Sequence, residues 1–315
     1  MACGVALVAG ACAPPLEDDD REDVVEVVED LSGARVTVGS KESDEQLILS
    51  QLAIQALRAL GADVTDRTPI GETAEVRQAL ETGEIDLYWE YLGTAWTDIF
   101  GRSEVVEDLE ELLEAVEELD EENGITWGEH GWFQSTDALA QTEQTAERLE
   151  VTTLTELAEL SRADPGEATF CLTDDFAAGD DGFPAMAARY ELDVPEGNIT
   201  LMNEDRIYAE LAGDEEASCN FGLVFTTDGR VGALDLEILV DDETVLPWQH
   251  PAAAIRTEVA ESHPDIVDLL DDVLRTLKPE TMRELNLRAA GGEPAEDIAR
   301  DWLRQQGILP SRRIS

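Results

Sequence analysis

From Gly33 onward, apolar positions recur first with a period of two and then with a helical period. Arg35-Val36-Thr37-Val38-Gly39 reads as a short strand. Ser43 or Asp44 can cap a helix that carries Leu47, Leu49, Leu52, Ala53, Ala56, Leu57 and Leu60 and stops at Gly61. Residues 63–66 form a second strand candidate, 73–82 a helix and 85–89 a third strand. Such alternation predicts a mostly parallel sheet with covering helices. An acidic amphipathic helix follows over 104–122, its charges read as a solvated face. Past residue 134 a second α/β set begins. Thr153-Leu154-Thr155-Glu156 is a capping box that opens a helix. Strands at 168–172, 199–202 and 221–226 are interleaved with helices at 183–190 and 204–211. After residue 240 the chain reads as helical, with segments at 263–277, 279–287 and 294–306, which predicts a return to pack on the first lobe. The expected organisation is a leader and tether at 1–32, a first lobe from 33–134 plus 241–315, and a second lobe from 135–240.

Charge narrows the partners. The 315 residues hold 21 basic and 72 acidic side chains, a formal net charge of −51. Nucleic acid and anionic membrane surfaces would repel such a protein. Self-repulsion at this level calls for screening, and at molar salt the Debye length is about 3 Å. High ionic strength is therefore the expected setting. Lysine is almost absent, only Lys41 and Lys278, so a lysine kept after the first strand is a candidate for a needed ammonium. At the N-terminus, residues 2–11 are small and apolar and too short to span a bilayer. They end in Ala9-Gly10-Ala11-Cys12 before a Pro-rich acidic run, the pattern of a bacterial lipoprotein leader with Cys12 as the lipidated residue. Cys171 and Cys219 then remain, and in an exported protein they most simply pair as a disulfide.

Signals for catalysis are thin. His130, His250 and His263 have no metal-ligand spacing, and there is no Gly-x-Ser-x-Gly elbow, P-loop or dinucleotide fingerprint, so neither an enzyme nor a cofactor is expected. Acid pairs such as Glu90 and Asp98 are unremarkable among 72 carboxylates. What the chain does carry is a pattern suited to a ligand. GEIDLYWEYLGTAW places Tyr88, Trp89, Tyr91 and Trp96 within nine residues, interleaved with carboxylates. Lys41 follows the first strand, and Tyr91 and Thr94 follow the third in a turn that contains Gly93. Ligands of open α/β sheets sit beyond such strand ends. Tyr88 is expected in the core, and Trp96 is open between core and cleft.

The ordered series Gly39-Ser40-Lys41, Glu45-Gln46, GEIDLYWEYLGT, FQSTDAL, DDFAAGDDGFPAM and FTTDGRVGALDLEILVDDETVLP resembles the substrate-binding proteins of osmoprotectant ABC transporters. That resemblance covers the chain from residue 35 onward. It implies a two-lobed periplasmic-binding-protein fold, type II-like, that closes on a quaternary ammonium in an aromatic cage and delivers it to a membrane permease. Ring faces recognise a trimethylammonium through their quadrupole. By resemblance Tyr91 is a cage ring, Phe225 occupies a second ring position, and Lys41 and Thr94 hold a betaine carboxylate. Tyr208 is a further candidate ring. The departures bear on the ligand: Asp137 stands where the family has a cage Tyr, and Gly179 where it has an Arg. One ring and one carboxylate clamp are lost and an anion is gained, which favours choline or another cation over glycine betaine. The alternatives are another small amine or an amino acid in the same fold, or an enzyme or adhesion module on this scaffold.

Overall fold

The computed structural model describes residues 30–309 except 107, 180, 181, 214–217 and 247. Cys12 and most of the 1–32 segment lie outside the described residues. No helix among the described residues is long and apolar enough to cross a membrane.

Ten strands form two five-stranded sheets. They are β1 (Arg35–Val38), β2 (Asp63–Asp66), β3 (Leu87–Tyr91), β4 (Ile125–Trp127), β5 (Asp137–Thr142), β6 (Phe170–Leu172), β7 (Ile199–Leu201), β8 (Phe221–Phe225), β9 (Leu236–Ile238) and β10 (Pro251–Arg256). The first sheet has the order β2-β1-β3-β10-β4 and the second β7-β6-β8-β5-β9. In each, four strands share a direction and one runs against them. The reversed strands are β10, between β3 and β4, and β5, between β8 and β9. This is the two-lobed α/β architecture expected from the sequence.

The helix Asp44–Ala59 begins where Ser43 accepts a hydrogen bond from the Gln46 N–H, and it buries Ile48, Leu49, Leu52 and Leu57 against one face of the first sheet. The helices Asp265–Arg275, Pro279–Ala290 and Ala295–Gln305 complete that layer. Side chains of neighbouring strand residues point to opposite faces, so Trp89 belongs to this core while Tyr88 belongs to the core on the other face. There it meets the helix Leu109–Asp120. Both rings are fully buried, and the Trp89 indole N–H donates to the Leu49 carbonyl at 2.9 Å. The acidic helix is thus shorter than 104–122.

The second lobe has its own core, in which the Thr153–Glu156 capping box forms as expected. Cys171 and Cys219 are joined, with a Cα–Cα distance of 5.7 Å.

Two features differ from the sequence-based expectation. Pro251–Arg256 is a strand, although the stretch after 240 reads as helical. Its run of alanines has no strand propensity, and it is a strand because β3 and β4 flank it on both sides. The return crossing also falls later than 240. Val245 and Leu246 pack on the second core and Trp248 on the first. Asp241 holds the intervening turn to the second lobe, accepting from the N–H groups of Val245 and Leu246 and from the Tyr190 hydroxyl. The two crossovers run side by side, joined by Ser135 N–H to Gln249 O at 2.9 Å and Gly131 N–H to Pro251 O at 2.7 Å.

Candidate ligand cleft between the lobes

At the ends of β1 and β3 the first lobe presents Lys41 and Tyr91. The Lys41 ammonium lies 5.2 Å from the centre of the Tyr91 ring and also donates to Thr73 Oγ1 at 3.3 Å. Its charge is already matched, because Lys41 is ion-paired to Glu90, and both residues are buried. Glu90 is held further by the Tyr91 N–H at 2.7 Å and the Tyr88 hydroxyl at 3.2 Å. The glutamate between two rings is therefore the counter-ion of Lys41. That corrects the expectation of a free ammonium for a ligand carboxylate.

The Tyr91 hydroxyl donates to Glu45 on the first turn of the helix Asp44–Ala59. Burial, and next the Glu45 carboxylate, push its pKa well above the ordinary phenol value. The same hydroxyl lies within reach of Gln46 and of Ser135 in the first crossover. Gln46 and Ser40 are buried; the Gln46 amide has the Tyr91 hydroxyl within reach, while the Ser40 hydroxyl has no hydrogen-bond partner among the described residues. Buried polar groups are seldom left so, and the Ser40 hydroxyl, next in the chain to Lys41, is one that a solute's polar atom can satisfy. Thr94 sits in the turn after β3, where its N–H and hydroxyl both face Gln249 Oε1 at 3.2 Å. A Cβ on Gly93 would lie 2.9 Å from the Trp248 carbonyl, so this turn docks on the return crossover only with glycine there.

Across the cleft, Asp137 and Phe225 are Cα partners at the edge where β5 and β8 meet. Phe225 is 40% exposed and keeps its ring available. Asp137 lines an interlobe cavity of about 300 Å³ together with Thr136, Thr226, Leu246, Trp248 and Arg283. Tyr208 is placed differently. It is buried in the second core, its hydroxyl accepts the Phe225 N–H at 3.2 Å, and the Arg230 guanidinium lies 3.8 Å from its ring centre. With that face covered, Tyr208 orients Phe225 and is not a cage ring. Trp96 packs half-buried on the first-lobe core that holds Tyr88, its indole N–H donating to the Glu104 carbonyl at 2.9 Å.

The lobes meet through residues that local patterning did not flag. Asn286 Nδ2 donates to Glu45 at 2.7 Å and to the Thr227 carbonyl at 2.9 Å. Arg283 Nε donates to the Thr226 carbonyl at 2.8 Å, and the Ser135 and Thr227 hydroxyls are 3.1 Å apart. Arg283 and Asn286 are three apart on the helix Pro279–Ala290 and so share a face. That spacing is the one sequence signal for the pair, and nothing local names their partners.

Residues 34–305 match the family model described as the substrate binding domain of ABC-type glycine betaine transport system. The chain is 32% identical over 278 residues to the glycine-betaine-binding protein of Pseudomonas aeruginosa, covering 86% of this chain and 88% of that protein. It is 29% identical over 279 residues to the glycine betaine-binding protein YehZ of Escherichia coli, covering 86% and 90%. The structure of apo YehZ superimposes with a TM-score of 0.77 at 26% identity, over 87% of this chain and 99% of that one. With the fold, the cleft and the match to most of its length, this chain belongs to the family of substrate-binding domains of ABC-type glycine betaine transport systems.

Proposed function

We propose that this protein is the extracytoplasmic receptor of an ABC importer and holds a quaternary-ammonium solute between its lobes. One observation carries the reading: the Tyr91 ring stands at the end of β3 beside Lys41, and its hydroxyl reaches Gln46 and, toward the second lobe, Ser135. Phe225, on the opposing sheet edge, is the second ring, and Asp137 adds a negative charge near it. Each ring contributes roughly 0.5–2 kcal/mol to holding a cation, towards the upper figure once water is excluded. Thr94 and Gln249 line the hinge side. The relatives named above are glycine-betaine-binding proteins, which supports the same solute class here.

Cys12 is the proposed lipid attachment point, and the permease is the proposed protein partner. The net charge of −51 supports a working environment of high salt.

A thermal-shift screen in molar KCl tests the reading, with choline, glycine betaine, carnitine and common amino acids. Ligand at a hundredfold over its dissociation constant stabilises by about 2.7 kcal/mol. A shift with at least one quaternary ammonium is expected, and a shift only with amino acids would overturn the assignment. That second reading, a primary-amine solute, draws on Asp137, whose carboxylate suits an N–H donor.

A further inference from the structure

The interlobe cavity has three charged side chains on its wall: Asp137, Asp241 and Arg283. Asp241 is spent within the protein, since it accepts from the Val245 and Leu246 N–H groups and the Tyr190 hydroxyl. Arg283 is only partly used. Its Nε donates to the Thr226 carbonyl, while among the described residues no carboxylate lies within ion-pairing distance of its guanidinium. The nearest acidic influence is Glu280, exposed and one turn back on the same helix. Burial therefore dominates, and it lowers the pKa of Arg283 below the ordinary guanidinium value.

A guanidinium stays charged at any pH a protein survives, and holding one half-buried without a counter-charge is costly. With Nε committed to Thr226, the two terminal nitrogens remain as a parallel pair of donors. That geometry matches the two oxygens of a carboxylate. The other cation at the cleft does not compete, because Lys41 is neutralised by Glu90. At position 179 there is a glycine and no side chain to serve. A cavity of about 300 Å³ is at the small end of ligand pockets, which run from roughly 300 to 1,000 Å³.

We propose that Arg283 is a specificity-determining residue of the cleft: its terminal nitrogens hold the carboxylate of a zwitterionic solute seated in the interlobe cavity that it lines. The inference rests on the quaternary-ammonium reading of the same site and narrows it to carboxylate-bearing ligands. It reverses the tilt toward choline that the loss of an arginine at position 179 implies from sequence. Because Arg283 belongs to the first lobe and already bonds Thr226 of the second, a carboxylate seated on it joins the contact that ties the lobes.

The test is calorimetry in molar KCl with glycine betaine and choline, which share a trimethylammonium and differ in the carboxylate. Wild type, Arg283→Gln and Arg283→Lys are compared, with circular dichroism melts to establish folding. Wild type should bind glycine betaine more tightly than choline. Arg283→Gln should lose glycine betaine affinity by about tenfold or more, the scale of a hydrogen bond to a charged group, while choline changes by less than about threefold. Arg283→Lys should fall between, since it keeps the charge and loses the fork. If Arg283→Gln does not fold, the betaine-to-choline ratio of Arg283→Lys decides, and an unchanged ratio overturns the proposal. Equal losses for both ligands would make Arg283 a hinge contact only, leaving the receptor reading intact. Failure of the wild type to bind either compound would overturn the proposal, and the wider solute screen then decides the receptor reading.

Discussion

The Lys41 ammonium and the Glu90 carboxylate form a buried ion pair, set 49 residues apart in the chain and brought together where β1 and β3 end side by side. Breaking such a pair by removing one charge costs about 3–5 kcal/mol, because the other is left buried and uncompensated. Glu90→Gln is therefore expected to lower the unfolding free energy by roughly 3 kcal/mol, read by urea denaturation at fixed high salt. A change below about 1 kcal/mol would mean that Lys41 reaches water or another partner once Glu90 is neutral.

Tyr91 makes two contacts of the first lobe with one side chain, a ring beside Lys41 and a hydroxyl bonded to Glu45. Tyr91→Ala should weaken solute binding by about tenfold or more, through the ring it removes. Tyr91→Phe should lose less, since the ring stays and only the hydroxyl bond is missing. Calorimetry with the best ligand of the screen separates the two, and equal losses would shift the weight from the ring to the Glu45 contact.

Asp271, on the helix Asp265–Arg275, is buried against the 128–129 turn and accepts the Glu129 N–H at 2.9 Å. Burial outweighs that bond and pushes its carboxyl up to about 7. In an unfolded chain the group titrates near 4. Between those values the folded protein keeps a proton that the unfolded chain has released. Its contribution to stability is thus full below about pH 4, falls as pH rises toward 7 and is flat above. Asp271→Asn should melt higher than wild type at pH 8, with the gap closing toward pH 5. The expected gap is on the order of 1–3 kcal/mol. A gap independent of pH would mean that Asp271 does not titrate in this range.

The Cys171–Cys219 bridge closes a sequence separation of 48 inside the second lobe, well away from Tyr91 and Thr94. In the chain-entropy model such a loop contributes about 4 kcal/mol. Reduction, or Cys171→Ser with Cys219→Ser, should lower the melting temperature and leave the ratio of ligand affinities unchanged. A shifted ratio would couple the bridge to the cleft edge.

Gly229 abuts the helix Pro279–Ala290 so closely that a Cβ there would lie 2.6 Å from Leu287 Cα and 2.7 Å from its N. Those are main-chain atoms and cannot turn aside. Gly229→Ala should push the helix from the second lobe, stretch the Arg283–Thr226 and Asn286–Thr227 bonds, and weaken solute binding by about tenfold. Small-angle scattering should show a larger radius of gyration. An unchanged radius with unchanged affinity would show that the helix yields without moving the lobes.

Local pattern determined much of this protein. Period-two and helical runs gave the elements up to Trp89. Ser43 and the Thr153–Glu156 box marked helix starts, and Cys171 and Cys219 pair as expected. That Tyr91 and Thr94 stand at a strand end was legible for the same reason, since a strand end is a local feature. What the tertiary structure alone decided involves partners distant in sequence. The alanine-rich β10 is a strand because β3 and β4 supply its hydrogen bonds. Lys41 is not a free cation because Glu90 arrives beside it. Tyr208 is closed off because Arg230 stacks on it, and Arg283 and Asn286 reach the second lobe from a helix of the first. Periodicity reports which face of an element is apolar. Which charge meets which ring follows from packing between segments distant in sequence, and no local run of residues carries that information.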